Sequence, residues 1–331
     1  MKERMNILIT TGIYPPALGG PAQYAQNMGI EWGKAGHMVL IKTYTSVEHA
    51  LPSGLRHLYY FLKIIPAVIC SDLIYALDTF SVGWPATIAA RIFGKKIVMR
   101  TGGDFLWEGY VERTSDLVLL KDFYQTTKKK WSKKEKIIYK LTKWTLNNVS
   151  TLVFSTLWQR DIFLKEYNLN SNNIKIIENY YGEKLPSLGP KEKNFIGGTR
   201  KLKWKNLEIL KESFEEISGA DLDMKNYSHA EYMKKISECY ATILVSLGDI
   251  SPNMILESIR YNKPFIITEE NGLMDRIADI AITVDPKDKN DIKEKVLWLC
   301  NKENYNSQVE KIKNFNFTHT WRQIAEETLN V

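Results

Sequence analysis

Residues 6–43 read NILITTGIYPPALGGPAQYAQNMGIEWGKAGHMVLIKT. Asn6–Thr10 is an apolar run of strand length, and a Gly/Pro-rich loop follows it. A helical pattern runs from about Ala22 to Lys34, and Val39–Thr43 reads as a second strand. A strand, a crossover helix and a strand of this length make the repeating unit of a parallel sheet. Downstream, strand patterns fit Asp72–Ala76, Lys96–Arg100, Thr151–Ser155 and Ile174–Glu178, with helical segments between them. From Glu183 to Asn194 the composition shifts to Glu, Lys, Pro, Ser and Gly, as in a linker. The alternation then restarts with a strand at Asn194–Gly197, a helix at Leu207–Ile217 and a strand at Tyr240–Ser246. A helix at Pro252–Tyr261 and a strand at Pro264–Thr268 follow. Thr320 and Gln323 have the spacing of a capping box, so a last helix is expected there. The expected fold is α/β, with two Rossmann-like doubly wound domains facing a cleft. Such sheets bind ligands at the carboxyl ends of their strands.

Composition narrows the class. The 331 residues carry a net charge of +7, with 44% hydrophobic and 25% charged residues, as in an ordinary globular protein. A basic surface suits phosphorylated substrates, anionic lipid or nucleic acid; no nucleic-acid module pattern is present, so nucleic acid is not expected as a partner. Three cysteines, Cys70, Cys239 and Cys300, are far apart and form no CxxC pair, which excludes a disulfide framework and fits a reducing cytosol. The start, MKERMNILITTG, lacks the apolar core of a signal peptide. No apolar run reaches the ~18 residues of a membrane span. The nearest, Leu58–Cys70, is interrupted by Lys63 and Pro66 and reads as a buried helix followed by a loop. The five histidines form no ligand-like pair, and no metal site is expected.

Three groups of residues can carry chemistry. Gly19 and Gly20 sit in the loop Gly12–Pro21, just before a helix N-terminus, where backbone N–H groups can approach an anion or simply turn the chain. Arg200 and Lys205 follow the strand at Phe195; they can hold a diphosphate and offset charge on a leaving phosphate, or form a solvated basic turn with Lys201 and Lys203. Asp249 lies before the helix that Pro252 opens, and Glu257 lies inside it. Both can accept hydrogen bonds from sugar and ribose hydroxyls, while free N–H groups near Ser251, Pro252 and Asn253 can meet a phosphate. The bland alternative is an N-capping acid and a solvated helical Glu.

Together the segment Thr10–Ala35, the Arg200-x4-Lys205 pair, Asp249-x7-Glu257 and the C-terminal FTHTWRQIAEETL resemble the retaining glycosyltransferases of family 4, which have the GT-B fold. The resemblance implies a domain at 1–183 on the acceptor side, a domain at 184–314 on the nucleotide-sugar side, and a helix at 315–331 crossing back to the first. It implies that Arg200 and Lys205 hold the donor diphosphate, Glu257 the ribose and Asp249 the transferred sugar, with Gly19, Gly20, Ser251, Pro252 and Asn253 lining the donor site. It implies no cofactor and no metal. The partners would be a nucleotide-diphosphate sugar and a glycan or lipid-linked acceptor. Three features depart from the pattern. Asp249 stands where the family usually has Glu, and Asn206 where it usually has Gly. Between Ile217 and Tyr240 a strand–helix unit is expected to be absent or reduced, which would abbreviate the second domain.

Two further stretches are candidates. Thr101-Gly-Gly-Asp104-Phe-Leu-Trp107-Glu108 follows the strand ending at Arg100 and resembles a subgroup of the family. Asp104 can orient a hydroxyl, act as base, or serve only its own turn. The candidate catalytic residues are thus Asp104, Arg200, Lys205 and Asp249. The run Lys128, Lys129, Lys130, Trp131, Lys133 and Lys134 continues into a basic helix with Ile137 and Trp144; it can lie on an anionic membrane surface or be a solvated face. The expected protein is cytoplasmic and peripheral on the inner face of the membrane. The alternatives are a GT-B nucleotide-sugar epimerase or hydrolase, and a catalytically silent GT-B binding protein.

Overall fold

The computed structural model describes residues 4–17, 19–198 and 200–331. Leu18, inside the Gly/Pro loop, and Thr199, beside Arg200, lie outside the described residues. So do residues 1–3. By packing, the chain divides into two units: 1–106 with 130–180 and 319–331, and 107–129 with 181–318.

The first unit begins with β1 (Asn6–Thr11), α1 (Gly20–Lys34), β2 (Met38–Thr43), α2 (Ser46–Ala50) and α3 (Ser53–Cys70). β3 (Leu73–Ala76), α4 (Gly83–Ile92), β4 (Lys96–Thr101) and α5 (Phe105–Thr114) follow. After α6 (Leu120–Thr126) come α7 (Lys133–Leu146), β5 (Thr151–Phe154), α8 (Leu157–Tyr167) and β6 (Ile174–Ile176). The sheet is parallel, in the order β2-β1-β3-β4-β5-β6. Its direction reverses between β1 and β3, so the crossovers before and after β2 place α1 and α3 on opposite faces. α1 packs Tyr24, Met28 and Trp32 on Ile7, Ile9 and Tyr75. The last helix, α15 (Trp321–Leu329), completes this layer. Trp32 Nε1 donates to the Ala325 carbonyl at 3.0 Å, and Trp321 stacks on Tyr180 with centroids 5.3 Å apart. Thr320 caps α15 in the capping box expected from the sequence.

The second unit has β7 (Asn194–Ile196), α9 (Leu207–Glu215), β8 (Asp221–Asp223), α10 (His229–Glu238) and β9 (Ala241–Leu244). Then come α11 (Asn253–Arg260), β10 (Phe265–Thr268), α12 (Met274–Ile277), β11 (Ile282–Val284), α13 (Lys289–Cys300) and α14 (Lys302–Lys313). This sheet is parallel, in the order β11-β10-β9-β7-β8. The strand–helix unit between Ile217 and Tyr240 is therefore present but short: β8 has three residues and α10 ten.

Two differences from expectation have physical causes. α3 runs unbroken through Pro66 to Cys70, where the sequence suggested a loop. Pro66 lies on the exposed side, while Ile64, Ala67 and Val68 pack inward, and that packing outweighs the helix-interior proline cost of ~3 kcal/mol. The segment 107–129, counted with the first domain from sequence, packs with the second unit. Trp107 meets Trp204 with centroids 5.5 Å apart, and Leu120 N donates to the Leu247 carbonyl at 3.1 Å. No helix among the described residues is long and apolar enough to cross a membrane.

Candidate functional site

In the second sheet the chain reverses direction between β7 and β9. The crevice at the carboxyl ends of those two strands is the natural ligand position of such a sheet. The loop after β7 carries Arg200 and Lys205, and the loop after β9 carries Asp249. Gly197 follows β7 where the chain is crowded: a Cβ there would stand 2.9 Å from the Met224 side chain and 3.2 Å from Leu210. Arg200 is exposed. Lys205 closes a short 3-10 turn, Lys203–Lys205, with its Nζ 4.3 Å from the centre of the Trp204 ring. Asn206 ends that turn in the left-handed conformation, at φ 59°, which Asn tolerates better than most residues. Its buried amide also donates to the carbonyls of Val245 and Pro286, at 3.2 and 2.5 Å. Asn206 therefore holds the turn and ties it to two further loops.

Lys205 Nζ reaches Asp249 Oδ2 at 2.5 Å, with side chains only 11% and 13% exposed. Ser246 Oγ donates to the same oxygen at 3.3 Å. Asp249 does not cap α11; Pro252 occupies that position. The backbone holds Asp249 instead: its N–H donates to Glu270 at 2.9 Å and its carbonyl accepts from Gly272 at 3.0 Å. Two residues on, the Ser251 hydroxyl is buried without a hydrogen-bond partner at the start of α11. The first turn of α11 carries no acidic residue, and its leading N–H groups have no intrahelical acceptors. Asn253 is exposed there. Within α11, Glu257 pairs with Arg260 at 2.8 Å, and burial pushes its carboxyl above the usual range against the pull of Arg260. A cation pair, a partly buried carboxylate, an orphan hydroxyl and a helix N-terminus thus share one end of one sheet, an arrangement that can bind a phosphorylated, hydroxyl-rich ligand.

The remaining candidates stand elsewhere. Gly19 and Gly20 open α1 in the first unit, and a Cβ on Gly20 would meet nothing within 4 Å. Asp104 is buried at the head of α5 and accepts the Leu106 N–H at 3.1 Å. Lys128–Lys130 are exposed in a 3-10 turn, and Lys133 and Lys134 are exposed at the start of α7. Trp131 is buried against Tyr139.

Sequence reasoning missed Glu270 and Lys121. The Glu270 carboxyl is buried, burial raises its proton affinity, and it pairs with Lys121 of α6 beside the Asp249 backbone. The available signal was a pair of acids directly after the buried strand β10. It also missed Gly248, where a Cβ would lie 2.6 Å from Leu120 Cβ.

No family model and no curated protein matches the chain. Solved structures do. Sucrose-phosphate synthase from Thermosynechococcus elongatus superposes with a TM-score of 0.70 at 12% identity, over 99% of this chain and 98% of that one. Anabaena HepE, solved with UDP, gives 0.65 at 12% identity over 99% of each. A UDP-N-acetylglucosamine 2-epimerase gives 0.59 at 10% identity over 99% and 96%. At these identities the likeness is one of fold. The chain has the α/β GT-B fold and resembles GT-B glycosyltransferases over nearly its whole length.

Proposed function

We propose that the chain is a metal-independent, retaining glycosyltransferase of the family 4 type, moving a sugar from a UDP- or GDP-sugar to a glycan or lipid-linked acceptor in the cytoplasm. The observation that carries this reading is the Lys205–Asp249 pair beside the orphan Ser251 hydroxyl, at the direction reversal of the second sheet. Arg200 and Lys205 would bind the diphosphate, with Ser251, Pro252 and Asn253 offering the hydroxyl and the helix N-terminus. Asp249, released from Lys205, would accept hydroxyls of the sugar, and Glu257 those of the ribose. In the reaction the bond from the anomeric carbon to the diphosphate oxygen breaks. The acceptor oxygen bonds that carbon on the same face, and the acceptor proton passes to the departing phosphate. Arg200 and Lys205 would stabilise the charge that develops there. Gly19 and Gly20 would serve the donor, and Asp104 the acceptor hydroxyl or the donor sugar.

The epimerase likeness supports a second reading, in which the same donor site releases an altered nucleotide sugar and needs no acceptor. A thermal-shift screen against UDP-, GDP- and ADP-sugars without added metal tests the donor site. One nucleotide class should stabilise the protein by ~2–4 kcal/mol at saturating ligand, and Arg200→Ala and Glu257→Ala should abolish the effect. A folded protein that responds to none of the three refutes the reading; a nucleotide sugar whose sugar changes without acceptor favours the epimerase.

A further inference from the structure

Glu270, just past the end of β10, is a carboxylate with one oxygen satisfied and one not. Its Oε1 takes the ammonium of Lys121. Its Oε2 is buried and has no hydrogen-bond partner among the described residues, and the whole residue is only 3% exposed. A buried acceptor is costly to leave without a donor, so a native one that stands alone needs an explanation.

The backbone sets Glu270 directly beside Asp249. β10 ends at Thr268, whose Oγ1 accepts the Glu270 N–H at 3.0 Å. The Glu270 carbonyl accepts the Asp249 N–H at 2.9 Å, the Gly272 N–H donates to the Asp249 carbonyl at 3.0 Å, and Asp249 and Asn271 form a parallel bridge. Asn271 locks the loop, donating to the Thr268 carbonyl at 2.7 Å and accepting the Leu273 N–H at 2.8 Å. Glu270 is thus held on rigid, buried backbone at the carboxyl end of the second sheet. Lys121, from α6 of the same unit, braces its side chain. The Lys121 side chain is 50% exposed, so Glu270 lies one side chain below the surface.

Charge decides which part of a ligand meets it. Residues 200–206, after β7, carry Arg200, Lys201, Lys203 and Lys205 and no acid. Around Glu270 the balance is reversed, because Asp122 and Glu269 add their charges to the Lys121–Glu270 pair. A diphosphate is drawn to the first loop and repelled from the second. The uncharged sugar of a nucleotide sugar is then the part left over Glu270.

We propose that Glu270 selects the donor sugar: its Oε2 accepts a sugar hydroxyl, and Lys121 positions it to do so. The inference rests on the donor-site reading above and adds to it the group that reads the sugar. Asp249 must first be released by Lys205 before that oxygen can accept a hydroxyl, whereas Glu270 needs no release. A site built to bond a hydroxyl rejects a ligand that lacks it, because the buried acceptor is then left alone.

The test is isothermal titration of the full chain with UDP-glucose and UDP, and with GDP-mannose and GDP, which separates the sugar from the nucleoside diphosphate. In Glu270→Gln, Lys121 keeps the amide oxygen, so an amide N–H2 takes the place of the acceptor Oε2. The nucleotide sugar should bind at least about tenfold more weakly, and the bare diphosphate as in wild type. Lys121→Met should show the same selective loss, and Lys121→Arg should not. Glu270→Gln removes a buried charge without changing its shape, so the melting temperature should stay at the wild-type value. Equal losses for nucleotide sugar and bare diphosphate would mean that Glu270 only shapes the loop, and overturn the inference; so would no loss with either. Wild-type protein that binds none of the four ligands overturns the donor-site reading, and the inference with it, before any substitution is made.

Discussion

The Lys205–Asp249 pair offers a way to separate stability from ligand binding. Both side chains are nearly nine-tenths buried, and among the described residues the carboxylate has, besides Lys205, only the longer Ser246 contact at 3.3 Å. Lys205→Met would leave Asp249 charged with one weak donor; Asp249→Asn would leave an ammonium facing a neutral amide. Breaking one partner of a buried pair costs ~3–5 kcal/mol. The pair's remaining exposure places each single variant at ~3 kcal/mol, or a fall in Tm of about 6–12 °C for a unit of this size. Lys205→Met with Asp249→Asn removes both charges, and its cost should fall within ~1 kcal/mol of wild type, because coupled residues are not additive. Nucleotide-sugar binding should behave differently: the double variant, though stable, should bind none. Urea unfolding and isothermal titration with UDP- and GDP-sugars measure the two properties separately. If the two single costs simply add, the pair is not coupled as the geometry requires. If the double variant recovers stability and also binds, the pair is only structural and the donor-phosphate assignment fails.

Gly248→Ala sets a Cβ 2.6 Å from Leu120 Cβ and 3.2 Å from Trp107. It should cost ~1–3 kcal/mol, seen as a lower urea midpoint; an unchanged midpoint would mean that the segment 107–129 does not press on the Asp249 loop. Lys184 donates to the carbonyls of Ile259 and Ile312 at 2.9 and 2.6 Å, and burial pulls its ammonium down to about 8. The folded pKa lies below the unfolded one, so the folded state holds fewer protons between them; stability should rise as pH climbs from about 8 toward 10.5 and be lost as pH falls back through 8. Denaturant titrations of wild type and Lys184→Met across that range test this, the variant losing the Lys184 share of the rise.

The interior strands were legible because a parallel strand covered on both faces must be continuously apolar, as at Leu73–Ala76, Thr151–Phe154 and Phe265–Thr268. Of the edge strands, β2 and β6 were read but β8 and β11 were not. β8 is Asp221-Leu-Asp, paired only to β7, and one inward side chain makes no pattern. The packing of residues 107–129 was illegible for another reason. Trp107, Leu120 and Phe123 announce that they need burial, but a sequence states the need and not the partner.

Lys205 and Asp249 could be placed at strand ends from spacing alone, but their mutual pairing depends on the strand order, which puts β7 beside β9. That pairing also separates two of the departures from the family pattern. Asn206 adopts the left-handed backbone a glycine would supply and adds two buried hydrogen bonds, so it strengthens the turn that presents Lys205. Asp249 is different. Its shorter side chain is drawn onto Lys205, and a carboxylate held at 2.5 Å by an ammonium is not free to accept a sugar hydroxyl on that oxygen. A diphosphate that takes Lys205 for itself would release Asp249 at the same moment. Donor binding and the freeing of Asp249 would then be one event, and the methylene missing from Asp249 would set how far the released carboxylate reaches.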